Sequence, residues 1–417
     1  MRKTPFFPIS NSFSPNIEND DVWLCFKLLL KSLFEKEDEK KVREFEKSFS
    51  DFFGGGFFFS FDSGRSALFL LLKSLDIKEN DEVLVQAFTC NAVLNPILKN
   101  KARPIFVDID ESFNLDPKDL EKKITKNSKA VIVQHTFGQP ARLDEIKKIC
   151  QKYGLYLIED CAHSLGASFF GKKVGSFGDA SFFSFGRDKI ITSIFGGGLL
   201  TFDEKIAKKV QDLREKLPFS PKSWTIRQLL YPIIYSFSLP LFSFFSLGKG
   251  ILFLARKMGL LLPAVFEEEK KGKLFSIFPR KMSSFLSVLG KHQLKKLNRF
   301  NRHREKIANF YYQALKDKKG IIFQKSEKGR VYMRFPILTK KADFLIKKAK
   351  KENIYFDDGW HGSVVLPKGT LLQKVGYKKG SCKKAEEISK NILNLPTHIH
   401  IGKKEAKKVV DFVLKNI

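Results

Sequence analysis

Two ionisable side chains of this sequence lie where a strand pattern ends, and both could take part in chemistry. Asp160 closes the run YLIED, and Lys189 follows the run SFFSF. A carboxylate in that position could keep a pyridine nitrogen protonated, and a lysine amine could form a Schiff base with a carbonyl group. Taken singly, Asp160 could instead cap a helix, and Lys189 could be one surface lysine among many.

The turn at residues 63–66 (SGRS) is a third polar feature, because it directly precedes an apolar helical pattern. Free N–H groups at a helix N-terminus bind phosphate with the help of the helix dipole. An ordinary capped helix start would have the same composition. Ser184, five residues before Lys189, could add a hydroxyl, and the glycines of Phe195–Gly198 would let the backbone approach a flat ring closely.

These features need elements that bring them together, and residues 60–205 alternate strand and helix patterns. Short apolar runs predict buried strands, and apolar residues at helical spacing predict the helices between them. The predicted strands are Glu82–Phe88, Pro104–Asp108, Ala130–Gln134, Leu155–Glu159, Ser181–Phe185 and Gly198–Phe202, and the predicted helices are Ser66–Leu75, Asn91–Asn100, Asp116–Ile124 and Leu143–Tyr153. This alternation is typical of an α/β layer structure with a mostly parallel sheet, in which ligands bind at the carboxyl ends of the strands.

At 417 residues the chain exceeds one core of ordinary size, so we expect more than one domain. Residues 1–214 are predicted to form a large domain with an N-terminal arm, residues 215–275 a hydrophobic insertion or linker, and residues 276–417 a smaller C-terminal α/β domain. In this last part the predicted elements are the helices Ser284–Leu315, Lys341–Lys351 and Lys403–Lys415 and the strand Tyr332–Leu338.

The order of these features along the chain, phosphate turn, ring acid and lysine, is also that of a known family. The chain resembles the DegT/DnrJ/StrS sugar aminotransferases over nearly its whole length, in the motifs SGRSAL, DEVLVQAFT, VQHTFGQPARLDEI, YGLYLIEDCAHSLGA, GKKVGSFGDASFFSFGRDK and FGGGLLTFDE. The resemblance implies an α/β fold, the pyridoxal-phosphate-dependent transferase fold of type I, with a large domain around a mostly parallel central sheet and a smaller C-terminal α/β domain. It also implies pyridoxal 5'-phosphate as the cofactor, whose ring acts as an electron sink.

The resemblance assigns a role to each candidate residue. Lys189 would be the Schiff-base lysine and general acid/base, Asp160 the partner of the pyridine nitrogen, and His163 the residue beside the ring hydroxyl. The phosphate ligands would be Ser63, Gly64, Arg65, Ser66 and Ser184. Read alone, His163 could instead be a histidine satisfied at the start of a helix.

Three positions depart from the family pattern. Arg65 replaces the usual Thr, and its guanidinium could still bind phosphate bidentately. The aromatic residue that commonly stacks on the ring falls at Cys90, so either Cys90 packs there or Phe88 takes that place. Pro279 occupies the position of the Asn that reaches the neighbouring subunit, and a basic residue beside it could replace that contact.

For function, the resemblance implies transfer of an amino group from an amino acid, expected to be glutamate, to a nucleotide-linked keto-sugar for surface polysaccharide or glycan biosynthesis. Family members with His at the lysine position remove a hydroxyl group instead, so Lys189 favours amine transfer. A homodimer with its active sites at the subunit interface is expected. The alternative is a non-catalytic pyridoxal-phosphate-binding regulator or scaffold, for which the unusual 215–270 segment and the departures at Cys90 and Pro279 argue.

Composition excludes several other classes of function. The formal net charge of +30 would suit a polyanionic partner, but a lysine-rich composition is a sufficient cause, and without an aromatic-interleaved basic stripe no nucleic-acid partner is expected. Five cysteines without a CxxC pair argue against a disulfide framework or a zinc site and fit a reducing cytoplasm. No metal is expected, since His398 and His400 are interpreted as a solvated loop pair. Residues 1–16 do not resemble a secretory signal.

The stretch Gln228–Gly248 has no charged residue and is close to the ~20 residues that span a bilayer. Pro232, Pro240 and several serines argue against a span. Residues 228–266 are predicted either to form a helical hairpin that dips into one leaflet, with Lys249, Arg256 and Lys257 at headgroup level, or to pack on the protein itself or in the dimer. In the first case the cytoplasmic protein would make a peripheral membrane contact.

Overall fold

The computed structural model describes residues 7–13, 16–242, 244–273 and 275–417, so part of the N-terminal stretch interpreted as no secretory signal lies outside the described residues. The strands are β1 (Ile9–Ser10), β2 (Phe57–Phe61), β3 (Glu82–Gln86), β4 (Thr89–Cys90), β5 (Arg103–Val107), β6 (Ser128–Gln134), β7 (Tyr156–Asp160), β8 (Ser168–Phe169), β9 (Lys172–Lys173), β10 (Ala180–Ser184), β11 (Gly197–Thr201), β12 (Ile322–Phe323), β13 (Phe335–Leu338), β14 (Ile354–Tyr355), β15 (Val365–Leu366) and β16 (Ile392–Leu395). The helices are α1 (Asn19–Phe34), α2 (Glu39–Phe53), α3 (Gly64–Ser74), α4 (Asn91–Lys99), α5 (Pro117–Lys123), α6 (Leu143–Tyr153), α7 (Glu204–Glu215), α8 (Lys222–Ser238), α9 (Leu247–Lys257), α10 (Glu267–Lys270), α11 (Ser284–Leu294), α12 (Leu297–Leu315), α13 (Ala342–Ala349), α14 (Lys383–Asn391) and α15 (Lys403–Asn416).

Seven strands form the central sheet in the order β2-β11-β10-β7-β6-β3-β5. The pairs from β10 to β5 are parallel, whereas β11 runs antiparallel to both β10 and β2. Six strands therefore run in one direction, and their carboxyl ends meet at one edge. The predicted α/β class with a mostly parallel sheet is confirmed. β2 was not among the predicted strands; its run FFFSF lies between three glycines and the turn at residue 63.

Successive side chains of the central strands enter two different cores. In β3, for example, Val83 and Val85 pack on one face of the sheet and Leu84 packs on the other. The first core includes residues of α3 and α4, and the second includes residues of α2 and α6. Because both faces are covered, the strands are continuous apolar runs instead of alternating ones.

A third core lies in the C-terminal part of the chain, where β12, β13 and β16 form a small antiparallel sheet. Residues of α12, α13 and α15 pack there. The single helix predicted over Ser284–Leu315 is two helices, α11 and α12, separated at Lys295 and Lys296. The predicted domain boundaries after residues 214 and 275 stay predictions.

The C-terminal part of the chain holds the N-terminal arm. β1 pairs in parallel with β14, and the Asn11 side chain donates to two backbone carbonyls of that part, at 2.8 and 3.2 Å. The Nε2 atoms of His398 and His400 lie 2.7 and 2.8 Å from the carbonyl oxygens of Ser10 and Ile17. The interpretation as a solvated loop pair is wrong for His398, which is buried because it contacts this arm.

The hydrophobic segment forms α8 and α9, which pack on each other, and α8 also lies along α1. Their inner residues belong to the second core: Leu229, Tyr231, Tyr235, Leu252 and Ala255. Their outer residues are exposed: Phe237, Phe244, Phe245, Leu247, Phe253, Leu254 and Met258. Within the described ranges, none of the helices combines the length and the apolar character that crossing a bilayer requires.

Candidate functional site

A cavity of about 800 Å³ lies at the edge of the sheet where the six like-directed strands end. Its volume is within the ~300–1,000 Å³ that small-molecule sites commonly have. Eight of the ten predicted cofactor residues line it: Ser63, Gly64, Arg65, Cys90, Asp160, His163, Ser184 and Lys189. The fold therefore brings together residues from the ends of β2, β4, β7 and β10.

Ser66 and Phe88 do not line this cavity, which corrects their expected placement. Ser66 is fully buried, and its hydroxyl donates to Asp62. Phe88 is also fully buried, because its ring packs 5.1 Å from the ring of Trp360. Of the two residues considered for the position that stacks on the ring, it is Cys90 that lies at the cavity wall.

The turn before α3 has the free N–H groups that an anion site needs. Ser63 is the N-cap, and its Oγ accepts the N–H of Ser66 at 3.2 Å. In the part of the chain that the structure describes, the N–H groups of Gly64 and Arg65 have no protein acceptor. Ser184, on the neighbouring β10, presents its hydroxyl to the same cavity. A phosphate group would therefore find both backbone and side-chain donors here.

The Arg65 guanidinium contacts two residues of the chain that follows α9. Its Nε lies 2.8 Å from Glu269 Oε1, and its Nη2 donates to Ala264 O at 2.6 Å. Burial raises the pKa of Glu269, and the Arg65 charge opposes that rise. These contacts tie residues 264–269 to the phosphate turn, and the expected contact between this guanidinium and phosphate stays a prediction.

Asp160 ends β7 and is buried at the floor of the cavity. The N–H of Ala162 donates to Oδ1 at 3.0 Å. Burial raises the pKa of Asp160 to about 6, although this N–H and the charge of Lys189 favour the ionised form. A cationic ring nitrogen beside this carboxyl group would provide a buried counter-charge and favour the ionised form further.

Lys189 lies at one end of a chain of alternating charges, of which the Arg334 and Asp358 side chains are buried. Its Nζ is 3.7 Å from Asp188 Oδ1, and Asp188 Oδ2 accepts from Arg334 Nη2 at 3.3 Å. Arg334 also donates from Nε to Asp358 Oδ2 at 3.1 Å. Burial alone would raise the pKa of Asp188, but the charges of Lys189 and Arg334 lower it to about 2. The Lys189 amine therefore has an ionised carboxylate beside it at any physiological pH.

His163 lies between two aromatic rings. The Phe137 ring is stacked on it at 5.8 Å, and the Trp360 ring meets it at 5.1 Å and a steep angle. The N–H of Phe137 donates to His163 Nδ1 at 3.4 Å, so the neutral ring carries its proton on Nε2. Burial, with the charge of Lys189 adding to it, lowers the His163 pKa well below its usual value. The side chain is thus partly satisfied by protein and still lines the cavity.

Asn16 connects the N-terminal arm to the loop that carries Lys189. Its Nδ2 donates to the backbone carbonyl of Lys189, and its Oδ1 accepts from Arg304 Nη2 at 2.7 Å. Its own carbonyl accepts from Gln293 Nε2 at 3.0 Å. The backbone of Lys189 is therefore fixed by contacts with residues far away in sequence.

Several residues of this site were not selected from the sequence. Asp188 is next to Lys189, and its position in the motif RDK was the available signal. Arg334 reaches Asp188 across 146 positions, and no local pattern marks it. Four further residues line the cavity: Arg187, Tyr231, Tyr235 and Arg256. The last three belong to α8 and α9, whose sequence is conspicuous only for its hydrophobicity.

The residues present fit pyridoxal phosphate. Hydroxyl and free N–H donors stand at the phosphate turn, a buried carboxyl group stands at the end of β7, and a lysine amine lines the same cavity. A Cβ on Gly64 would lie 3.0 Å from the carbonyl oxygen of Phe183, so the turn leaves no room for a larger residue. The donor set thus matches a phosphate, a ring nitrogen and an aldehyde.

The model of the DegT/DnrJ/EryC1/StrS aminotransferase family matches residues 24–217 and 262–414. The chain belongs to this family. Membership in the DegT/DnrJ/EryC1/StrS family confirms the aminotransferase class and the pyridoxal-phosphate cofactor that the sequence motifs predicted. The family match leaves out residues 218–261, which include α8 and α9.

The similar proteins include enzymes of sugar metabolism. The spore coat polysaccharide biosynthesis protein SpsC of Bacillus subtilis is 29% identical over 381 residues, which are 89% of this chain and 88% of that protein. GDP-perosamine synthase of Vibrio cholerae is 38% identical over 178 residues, which are 42% of this chain and 48% of that enzyme. Helicobacter pylori PseC, an aminotransferase involved in the biosynthesis of pseudoaminic acid, superimposes with a TM-score of 0.75 at 22% identity, over 100% of this chain and 99% of that one. This match confirms the predicted fold.

The close approach of β11 to the phosphate turn predicts the effect of Gly197→Ala. The added methyl group would lie 2.2 Å from Gly64 N, so the turn must move. We expect the free energy of unfolding to fall by about 1–3 kcal/mol and the cofactor affinity to fall by at least about tenfold, measured by denaturation and by cofactor titration. Gly250→Ala is the control, because a Cβ there meets nothing within 4 Å. Equal cofactor affinity in Gly197→Ala and the unchanged protein would contradict this account.

Proposed function

We propose that this aminotransferase moves the amino group of an amino acid, glutamate, to a nucleotide-linked keto-sugar for surface polysaccharide or glycan biosynthesis. The observation that carries the proposal is that one cavity is lined by the Lys189 amine, the Asp160 carboxyl group and the free N–H groups of the phosphate turn. GDP-perosamine synthase and SpsC support the sugar class and the polysaccharide role. The bound cofactor supplies an electron sink for the C–H bond that is broken.

Lys189 has two tasks in this proposal. Its amine would hold the cofactor covalently, and the free amine would move a proton away from the α-carbon of the amino donor. Asp188, 3.7 Å from Nζ, stabilises the protonated amine and orients the side chain. Arg334 holds the other carboxylate oxygen of Asp188. Asp188 and Arg334 are therefore positioning residues for Lys189.

The other predicted residues share the remaining tasks. Asp160 keeps the proton on the pyridine nitrogen, and its burial shields that ion pair from water. His163 donates from Nε2 to the ring hydroxyl oxygen, because its Nδ1 already accepts a backbone N–H. The phosphate is held by the N–H groups of Gly64 and Arg65 and by the Ser184 hydroxyl, with Ser63 capping the helix.

The experiment that tests this function uses the cofactor-loaded protein and glutamate. We expect glutamate to decrease the absorption band of the bound cofactor and a GDP-, dTDP- or UDP-linked keto-sugar to restore it. Lys189→Ala should lower transfer by at least about a thousandfold, because covalent attachment and proton movement are both lost. Lys208→Ala, an exposed lysine on α7, is the control.

Borohydride reduction followed by peptide mapping should place the cofactor on Lys189. A label on another lysine would contradict the assignment. An absorption band that no amino acid changes would leave the non-catalytic regulator or scaffold as the function.

Asp160→Asn should keep the fold and lower transfer by at least about a hundredfold, because an amide cannot hold the pyridinium proton. Burial raises the pKa of Asp160 to about 6, so the carboxyl group is ionised above that pH and protonated below it. The unchanged protein should therefore bind the cofactor more tightly than the variant at pH 8, and this difference should shrink as the pH falls through about 6. Cofactor titrations from pH 5 to pH 8 measure it, and turnover of the variant equal to that of the unchanged protein refutes the role.

We also propose a homodimer with each active site at the subunit interface. The family resemblance supports it. Sedimentation of the cofactor-loaded protein should give twice the chain mass of 47.9 kDa. A monomer that transfers amine at the full rate would rule the proposal out.

A peripheral contact with the cytoplasmic membrane surface is our proposal for the outer faces of α8 and α9. Phe245, in the connection between the two helices, and Phe253 on α9 are 86% and 70% exposed, and Lys249 and Lys257 of α9 are exposed cations that could meet lipid headgroups. The net charge of +30 favours anionic lipid. The protein should float with anionic liposomes, and the double substitution Phe245→Asp and Phe253→Asp should abolish this, whereas Phe170→Asp should not. If the unchanged protein stays in the soluble fraction, the contact does not exist.

A further inference from the structure

The cavity extends beyond the cofactor residues to a group of two arginines and two tyrosines. Its members are Arg187, Tyr231, Tyr235 and Arg256, here called the Arg–Tyr cluster. Arg187 lies two residues before Lys189, whereas the other three belong to α8 and α9. Because the family match leaves out residues 218–261, this wall of the cavity is a feature of this chain and not of the family model.

The Arg–Tyr cluster is a stack with a guanidinium at each end. The rings of Tyr231 and Tyr235 are stacked with their centroids 4.3 Å apart. The Arg187 guanidinium carbon lies 4.0 Å from the centroid of the Tyr231 ring, and Arg256 Nη2 donates to Tyr235 Oη at 3.5 Å. Both tyrosines are buried, so the stack keeps the two cations on one side of the cavity.

These two cations have no protein counter-charge in the described part of the chain. Arg187 donates to the carbonyl of Leu262 at 2.5 Å and to Gln228 Oε1 at 3.2 Å, and neither group is a carboxylate. Arg187 Nε and Gln228 Nε2 are buried without a hydrogen-bond partner. Burial lowers the pKa of Arg187, and the charge of Arg256 adds to the lowering. Two guanidinium groups therefore line one cavity without a carboxylate partner, and an anionic ligand would supply the counter-charge that both lack.

We propose that the Arg–Tyr cluster binds the diphosphate of the nucleotide-linked sugar, so that the insertion supplies a substrate subsite of its own. This inference rests on the proposed function. Guanidinium groups bind phosphate oxygens bidentately, and the tyrosine hydroxyls can add hydrogen bonds. The diphosphate at the cluster and the keto group at Lys189 occupy neighbouring parts of one cavity of about 800 Å³.

The test compares Arg256→Ala with Lys257→Ala in the cofactor-loaded protein. Both residues are exposed on α9, but only Arg256 lines the cavity. Titration calorimetry with GDP, UDP and dTDP gives the dissociation constants. A hydrogen bond to a charged group contributes enough to predict at least about tenfold weaker binding of the nucleoside diphosphates by Arg256→Ala. Lys257→Ala should bind them like the unchanged protein.

Three further measurements distinguish binding of the diphosphate from binding of other anions: competition by inorganic diphosphate, binding of GMP, and the KM for glutamate. Inorganic diphosphate should compete with GDP, whereas GMP should bind weakly and lose much less on Arg256→Ala, because it lacks the second phosphate. An unchanged dissociation constant for GDP, UDP and dTDP in Arg256→Ala would overturn the subsite. A raised KM for glutamate with unchanged nucleotide binding would overturn it too, and would assign the cluster to the donor carboxylate.

Failure of the proposed function can be distinguished from failure of the diphosphate subsite. In that case glutamate leaves the absorption band of the unchanged protein as it was, while nucleoside diphosphates are still bound in a manner that depends on Arg256. If none of the three nucleoside diphosphates binds to the unchanged protein, the subsite is overturned whatever the glutamate result.

Discussion

Asp188 is placed between two cations, and the geometry of the site depends on it. Arg334 is almost fully buried, and a buried charge is stable only when it is paired and hydrogen-bonded, so Arg334 requires Asp188 and Asp358. Asp188 in turn lies beside the Lys189 amine. Arg334 precedes β13 in the C-terminal part of the chain, whereas Asp188 follows β10 of the central sheet. The position of the Lys189 amine is therefore set by a packing contact between distant parts of the chain.

The same dependence on distant partners appears at the phosphate turn. Arg65 begins α3, but its guanidinium is held by Glu269 and by a carbonyl of the chain that follows α9. This ion pair brings the end of the insertion over the cavity, and α8 and α9 then supply the wall that carries Tyr231 and Tyr235. The segment outside the family match is itself coupled to the part of the site that the family shares, because Arg187 donates to Gln228 Oε1 of α8 at 3.2 Å.

Much of this architecture could be predicted because its signals are local. Continuous apolar runs identify strands that are covered on both faces, and Asp160 and Lys189 could be selected because each follows such a run. The errors have a common cause, which is a partner far away in sequence. Phe88 packs against Trp360 instead of facing the cavity, and His398 is buried against the N-terminal arm. The residues next to Phe88 and His398 in the sequence form no pattern that predicts either contact.

The N-terminal arm has a consequence for the order in which the molecule is made. Residues 9–16 leave the ribosome long before their partners, because β1 has no neighbour until β14 has been synthesised, and Asn16 has no Arg304 to accept from until α12 exists. The loop of Lys189, to which Asn16 donates, emerges in between. The nascent chain therefore carries Lys189 with an unfinished backbone environment for more than a hundred residues of elongation, and the enzyme acquires its competent geometry only after Arg304 and β14 have been synthesised.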